Sequence, residues 1–262
     1  MKTFIVVIIL ILYSINSKNS YSQDNVLKAG EELNYVVYYG FIKLGEVKMK
    51  ITDKSVSNGL QIFTAKSNMF SYKGIPFVDL EIEFESELVF DGNDLYSRKF
   101  KAKEKVEDGY VDIEYVFHYD SQYVYVKKTN KGIIEIDKNI SINKNVRFQD
   151  GLSLFYKARI NSFTPEDNFM VPVFMNEEET SVDYYFKSEP EVISLSAFED
   201  DITAVGCNGV AKFTGVFGMN GEFAGWFSKN NARVPLKAQL NAIVGSITLE
   251  LDSFKRSDLR LH

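Results

Sequence analysis

The sequence is poor in the residues that most often build catalytic and metal centres. It has one cysteine, Cys207, and two histidines, His118 and His262, in 262 residues. A single cysteine excludes a disulfide within the chain, and two separated histidines give no cluster that could bind zinc or serve a Ser or Cys triad. No P-loop, GxSxG or dinucleotide motif follows a strand. We therefore expect a buried, inert Cys207, no metal ligands, no cofactor and no catalytic residues.

Long apolar runs are also scarce. The longest, from Phe4 to Tyr13, spans about ten residues, whereas a membrane helix needs roughly 20. Lys2 precedes this run and a short polar stretch ending at Ser22 follows it, the order typical of a secretory signal peptide. We predict a signal peptide at 1–22, no membrane span after its removal, and no lipid anchor because no cysteine lies near the cut. The expected location is the Gram-negative periplasm or the exterior.

The sequence also has fewer basic than acidic residues, and it has no recognisable linker. Removal of residues 1–22 leaves 28 basic against 36 acidic residues, a net charge of −8. This balance disfavours nucleic acid, whose phosphates are bound by basic patches. The five prolines form no Pro-rich linker, and no repeat has a fixed period. Residues 23–262 are therefore predicted to form a single antiparallel β domain.

Alternation of apolar and polar residues dominates the rest of the chain. In the stretch 79–90, apolar residues share one face, interrupted only by Ser86, and five acids occupy the other: Asp79, Glu81, Glu83, Glu85 and Glu87. These acids point outward in parallel, which favours a solvated sheet face over a converging metal site. Turn pairs such as Asn58-Gly59 and Lys131-Gly132 separate further runs of this kind. We predict a mainly β fold of ten to thirteen strands, forming a strongly curved antiparallel sheet or a barrel of the lipocalin type.

One segment has a helical period instead. Within 145–163, Leu152, Phe155, Tyr156 and Arg159 follow the i, i+3, i+4, i+7 pattern of a single helix face. Asp150 is placed to cap a helix over about 150–161, and Pro165 lies just past its expected end. We expect this helix to fill the concave side of the sheet with those four residues facing the strands; the alternative is a helix that closes one end of a barrel.

The segment 213–251 contains five glycines, which interrupt strand-like runs, and the only tryptophan. Trp226 precedes a turn, and Arg233 and Pro235 open the next predicted strand. A core position is favoured for Trp226 over stacking on a ligand. Arg159 and Arg233 are expected to pair with buried acids, with an anionic head group as the alternative partner.

Three segments in this order resemble the domain-of-unknown-function family 3108 of bacterial envelope proteins. They are 30–51, the helix QDGLSLFYKAR at 149–159, and 225–251. The resemblance implies an exported protein with a lipoprotein-carrier-like fold, in which a curved sheet wraps around helical elements, and it implies no established activity. Matching positions are Asp150, Leu152, Ser153, Tyr156, Arg159, Trp226, Arg233, Pro235 and Gly245. Relatives often have an acidic residue in the turn after the tryptophan, where this chain has Asn230 and Asn231. This difference argues against a metal site or a salt bridge in that turn.

Three functions remain open at this point. The first is a non-enzymatic protein that binds a lipid or another apolar ligand between sheet and helix, through Leu152, Phe155, Tyr156, Arg159, Trp226 and Arg233. The second is a scaffold with a filled core that docks an envelope protein through its outer face or sheet edge. The third is a carboxylate-dependent hydrolase acting on glycans or lipids, which requires two acids facing each other in a cleft.

Overall fold

A computed structural model describes residues 26–75, 79–164, 167–215, 220–242 and 245–261. The predicted signal peptide, Pro165 and His262 lie outside these ranges. The described residues contain fifteen strands and one helix, in this order: β1 Glu32–Tyr39, β2 Ile42–Ser57, β3 Leu60–Ser71, β4 Glu81–Phe90, β5 Leu95–Val106, β6 Gly109–His118, β7 Tyr123–Asn130, β8 Ile133–Ser141, α1 Ser153–Asn161, β9 Asn168–Met175, β10 Glu178–Phe186, β11 Glu191–Ile193, β12 Ile202–Ala211, β13 Gly221–Ser228, β14 Pro235–Ala242 and β15 Gly245–Lys255.

The predicted number of ten to thirteen strands was therefore too low. β11 is only three residues long, and β12, with its small residues, has buried side chains at consecutive positions rather than at alternate ones. Strict alternation identifies strands with one buried face, and it misses strands of these two kinds. The turn signals were more reliable, since Asn58-Gly59 joins β2 to β3 with positive φ values of 51° and 78°.

All fifteen strands belong to one antiparallel sheet. Its order is β8-β7-β6-β5-β4-β3-β2-β1-β15-β14-β13-β12-β10-β9, with β11 paired to β12. Irregularities in register, for example between Ile51 and Asp53 and between Trp226 and Phe227, are points where strands bend. The sheet is curved but not closed, which confirms the predicted fold class and selects the open sheet over the complete barrel.

The segment before the helix joins two distant parts of this sheet. The Ser97 amide of β5 donates to the Phe148 carbonyl at 2.9 Å. One residue later, Gln149 donates to the Pro172 carbonyl and accepts from the Phe174 amide, both at 2.9 Å. Residues 148–149 thus connect β5, in the middle of one half of the sheet, with the edge strand β9. These hydrogen bonds hold the two halves of the curved sheet on either side of the helix.

The helix is buried on two opposite faces. Leu152, Tyr156 and Ile160 belong to the main apolar cluster, which includes side chains of β1 to β7 and β15. Leu154 and Ala158 pack against a second cluster, formed by β9, β10, β12 and β13. The helix is therefore enclosed by both halves of the sheet, as expected for an internal plug.

The prediction that Phe155 faces the strands is wrong. Its side chain is 40% exposed, while Leu152, Tyr156 and Arg159 are at most 3% exposed. Successive helical residues are rotated by about 100°, so burial of the faces centred on Tyr156 and on Leu154 with Ala158 leaves Phe155 between them at the surface. The sequence pattern predicted one apolar stripe on the helix. Because the helix is instead buried on two faces, the exposed surface between them includes Phe155.

Candidate functional site

The C-terminal half of the helix carries a buried charged cluster. Arg159 donates through both terminal nitrogens to the Glu31 carboxylate, with Nη1–Oε1 and Nη2–Oε2 distances of 2.6 and 2.8 Å. Arg256 Nη1 donates to Glu31 Oε2 at 2.6 Å. The side chains of Glu31 and Arg159 are 1% exposed and that of Arg256 is 0% exposed. One buried carboxylate thus neutralises part of the charge of two buried guanidinium groups, an arrangement we call the arginine cluster.

Backbone carbonyls complete the arginine cluster. Both arginines donate to the Val26 carbonyl, at 2.8 Å from Arg159 and 2.7 Å from Arg256, and Arg159 also donates to the Ala232 carbonyl. Burial raises the pKa of Glu31, but the two arginines outweigh burial and the pKa is lowered overall. The cluster therefore joins the segment before β1, the helix, the turn before β14 and the segment after β15.

The other end of the helix is anchored by Asp150, which is fully buried. Its Oδ1 accepts from the amides of Leu152 at 2.8 Å and Ser153 at 2.7 Å, the contacts predicted for a capping carboxylate, although α1 begins at Ser153 and Leu152 takes the N-cap position. Oδ1 also accepts from the hydroxyl of Ser86 in β4 at 2.9 Å, and Oδ2 accepts from the hydroxyl of Ser97 in β5 at 2.5 Å. Burial raises the pKa of Asp150, and these hydrogen bonds oppose the shift without cancelling it.

The structure brings together only part of the predicted ligand site. Leu152, Tyr156 and Arg159 lie side by side in the core, and the Tyr156 hydroxyl is buried with no hydrogen-bond partner among the described residues. Arg233 lies beside this region, with its guanidinium 4.5 Å from the centre of the Phe163 ring. Phe155 is turned to solvent.

Trp226 has a different environment from the helix residues. It is half-buried at the margin of the main apolar cluster, and its indole nitrogen donates to Glu191, which also pairs with Lys187. This contact joins the start of β11 to β13. A core position was the favoured prediction for Trp226, and the structure places it at the margin of the core instead.

Two open concavities lie on the sheet, and no helix residue lines either of them. The first has a volume of about 810 Å³ and is lined by β9, β10, β12, β13, β14 and the start of β15. Phe169, Tyr184 and Phe223 of these strands pack in the second apolar cluster, so their neighbours along each strand point away from the helix. We call this concavity the outer groove.

The second concavity, of about 570 Å³, lies on the other half of the sheet and is bordered by charged residues of β2 to β7. One row of directly paired residues crosses seven strands here: Lys50, Lys66, Glu85, Lys101, Glu114, Lys127 and Asp137. We call this row the charge ladder. Lys66 Nζ lies 2.5 Å from Glu85 Oε2, so the predicted acidic face of β4 is solvated and paired with lysines.

The described residues hold no group of three or more His, Cys, Asp or Glu side chains arranged for a metal ion. His118 is exposed and stacks on Tyr123 at 4.5 Å between ring centres. Cys207 is buried, and burial raises its thiol pKa to about 12. Its thiolate is therefore scarce at neutral pH, which agrees with the predicted inert thiol.

Sequence reasoning missed Glu31, Arg256, Ser86 and Ser97 as partners of the helix. Ser86 did leave a signal, because it is the one polar residue in the apolar row of β4. Glu31 and Arg256 left none, since Glu31 lies 128 positions from Arg159 and 225 positions from Arg256, the two residues it binds. Local patterns do not encode such contacts.

These observations define an open, curved antiparallel sheet around a helix that is bonded to its surroundings at both ends. The part of the chain that the structure describes contains no recognisable catalytic arrangement. The chain belongs to the DUF3108 family of proteins of unknown function, whose model matches residues 34–252. Among curated proteins, no sequence matches this chain. Among the described residues, no helix is long and apolar enough to cross a membrane.

Three solved structures are similar to this chain at low sequence identity. A β-barrel-like DUF1849 protein from Brucella abortus is similar over 87% of this chain and 98% of its own, with 8% identity and a TM-score of 0.54. A candidate lipoprotein from Parabacteroides distasonis matches over 87% and 96%, with 10% identity and a TM-score of 0.38. A candidate exported protein with a YmcC-like fold from Bacteroides fragilis matches over 87% and 97%, with 7% identity and a TM-score of 0.38. The first of these supports the barrel-like fold and carries no information on function.

Proposed function

We propose that this is an exported, non-enzymatic envelope protein whose helix completes a filled core and whose binding surface is the outer face of the sheet. The observation that carries the proposal is the arginine cluster. Arg159, on the inner side of the helix, is 1% exposed and bonded to Glu31, Val26 and Ala232. The place where a ligand between helix and sheet would need a polar anchor is already occupied by protein groups.

Energetics support a filled core over a removable helix. Moving the helix away from the sheet would separate Arg159 from Glu31, and breaking a buried ion pair costs about 3–5 kcal/mol. It would also remove the Asp150 carboxylate from the Ser86 and Ser97 hydroxyls. A lipid that entered here would have to offset both losses.

The proposal is tested with protein purified from its native envelope. Organic extraction of the purified protein should yield no stoichiometric lipid, and titration with a fluorescent fatty acid should show no saturable uptake. A Leu152→Ala variant is the positive control for access, because it opens an apolar cavity beside the helix that can take a small apolar probe such as benzene. Stoichiometric lipid in the wild-type extract would contradict the filled core.

The alternative is an apolar or amphiphilic ligand between sheet and helix, lined by Leu152, Tyr156 and Arg159 with Arg233 beside them, but without the exposed Phe155 and without Trp226, which is bonded to Glu191. The observation that favours it is the buried Tyr156 hydroxyl, which has no hydrogen-bond partner among the described residues. A ligand with a polar atom near this hydroxyl would satisfy it. Extraction of such a ligand at one equivalent would establish this alternative.

A further inference from the structure

The outer groove has a composition unlike the rest of the sheet surface. One row of paired residues crosses it as Asn168, Tyr185, Asn208, Ala224 and Gln239. The parallel row two residues away crosses it as Met170, Asp183, Val210 and Glu222. Since alternate residues of a strand share a face, both rows point out of the same side of the sheet.

The first row presents carboxamides at regular intervals. Neighbouring strands lie about 4.8 Å apart, so five strands span about 19 Å from Asn168 to Gln239. A carboxamide both donates and accepts hydrogen bonds, as does a sugar hydroxyl. Asn208 Nδ2 lies 3.3 Å from the Tyr185 hydroxyl, which shows that the two side chains adjoin on this face.

Apolar surface lies between these polar groups. Tyr185 is 42% exposed, Val210 40% and Met170 71%. Exposed apolar groups that adjoin one another mark binding surfaces more often than isolated ones do. Here they would pack against the C–H faces of a ligand whose hydroxyls reach the carboxamides.

The charges of the groove disfavour an anionic ligand. No Lys, Arg or His is among the residues that line it, and its two carboxylates are Asp183 and Glu222. Asp183 Oδ2 pairs with Lys212 Nζ at 2.6 Å, outside the lining. Carboxylates and phosphates are recognised by cationic donors, which the lining lacks.

Backbone packing keeps the floor of the groove fixed. A Cβ at Gly209 would lie 2.4 Å from Cζ of Phe223 and 2.6 Å from the Asp183 carbonyl oxygen. The absence of a side chain at Gly209 therefore lets the Phe223 ring lie against the strand from the inner side. This packing fixes β10, β12 and β13 relative to one another, and so fixes the spacing of the side chains that point into the groove. A preorganised site requires such fixed spacing.

We propose that the outer groove binds an uncharged glycan chain, laid across β9 to β14, with Asn168, Asn208 and Gln239 bonding its hydroxyls and Tyr185 packing on a sugar ring. This proposal names the class of ligand that would bind the outer face of the sheet, the binding surface proposed above. It depends on the outer groove and not on whether the core is filled. A lipid found in the core would overturn the proposed function without affecting the groove.

The test is isothermal titration of the full mature chain with cellohexaose, maltohexaose and chitohexaose, with dextran sulfate as the anionic comparison. At least one neutral oligosaccharide should bind with Kd below about 1 mM, and binding should not weaken as salt rises, because no ion pair is involved. Tyr185→Ala and Asn208→Ala should each weaken binding about tenfold or more.

A matched control is available on the other half of the sheet. Tyr110, on β6, is 44% exposed, close to the 42% of Tyr185. Tyr110→Ala should leave oligosaccharide binding unchanged, and circular dichroism of all three variants should show the wild-type fold. The proposal is overturned if none of the three neutral oligosaccharides binds, if Tyr185→Ala binds as tightly as the wild type, or if only dextran sulfate binds.

Discussion

The two ends of helix α1 are both anchored by buried charge, but in opposite ways. At the N-terminal end, the Asp150 carboxylate is surrounded by neutral donors, two serine hydroxyls and two amides. At the C-terminal end, Arg159 lies in a cluster of full charges with Glu31 and Arg256. The first end depends on hydrogen bonds to one ion, and the second on ions neutralising one another, so the two should respond differently to substitution and to pH.

The largest effect is expected at the charged end. Glu31→Gln removes the one carboxylate shared by two buried guanidinium groups, which leaves Arg159 with no acidic partner among the described residues, while Arg256 keeps its pair with Asp258. We expect a loss of about 3–5 kcal/mol in the free energy of unfolding, measured by urea denaturation. Glu32→Gln is the control, because Glu32 is an exposed neighbour whose contact with Lys255 is at the surface, and it should cost less than about 1 kcal/mol. Equal losses in the two variants would contradict the importance of the cluster.

A smaller effect is expected at the neutral end. Asp150→Asn keeps the shape of the side chain but removes the charge that four donors share, and its own NH₂ group must then face some of these donors. We expect a loss of about 1–3 kcal/mol by the same measurement. Ser86→Ala removes one of the donors and should cost about 1 kcal/mol. If Asp150→Asn lowered the free energy of unfolding as much as Glu31→Gln does, the neutral donors at one end and the ion pairs at the other would not differ in their contribution to stability.

The pH dependence separates the two ends most sharply. Glu31 has a lowered pKa in the folded protein, so its contribution is present above its ordinary value of 4.5 and is lost as pH falls through the folded pKa. Asp150 has a raised pKa, so protonation of the folded state begins above its ordinary value of 3.8 and favours folding as pH falls. On acidification, the stability advantage of the wild type over Asp150→Asn should therefore grow, whereas its advantage over Glu31→Gln should shrink. Changes in the opposite directions would contradict this account.

The smallest effect is expected between the two ends, at Tyr156. Its hydroxyl is buried and has no hydrogen-bond partner among the described residues. Tyr156→Phe removes an unsatisfied polar group without changing the ring, so we expect a free energy of unfolding within about 1 kcal/mol of the wild type, or slightly above it. A loss of several kcal/mol would indicate that the hydroxyl has a bound partner and would favour the ligand-binding alternative.

Local sequence patterns predicted the antiparallel sheet, the hairpin turns and the position of the helix, because each depends on residues close together in the chain. Asp150 was recognisable as a helix cap for the same reason. Phe155 was misplaced because its exposure depends on which halves of the sheet enclose the helix, a property of the whole fold. The outer groove was not predicted either, since its rows combine residues of five strands that only the sheet order aligns.

Hydrogen exchange of the helix amides tests the central claim most directly. A helix locked at both ends in a filled core should open only with global unfolding, so the slowest amides of residues 154–161 should exchange with the same free energy as the core strands. This protection should not change when a fatty acid is added. Exchange of these amides at a much lower free energy, slowed by added fatty acid, would show a removable helix over a ligand pocket and would contradict the account.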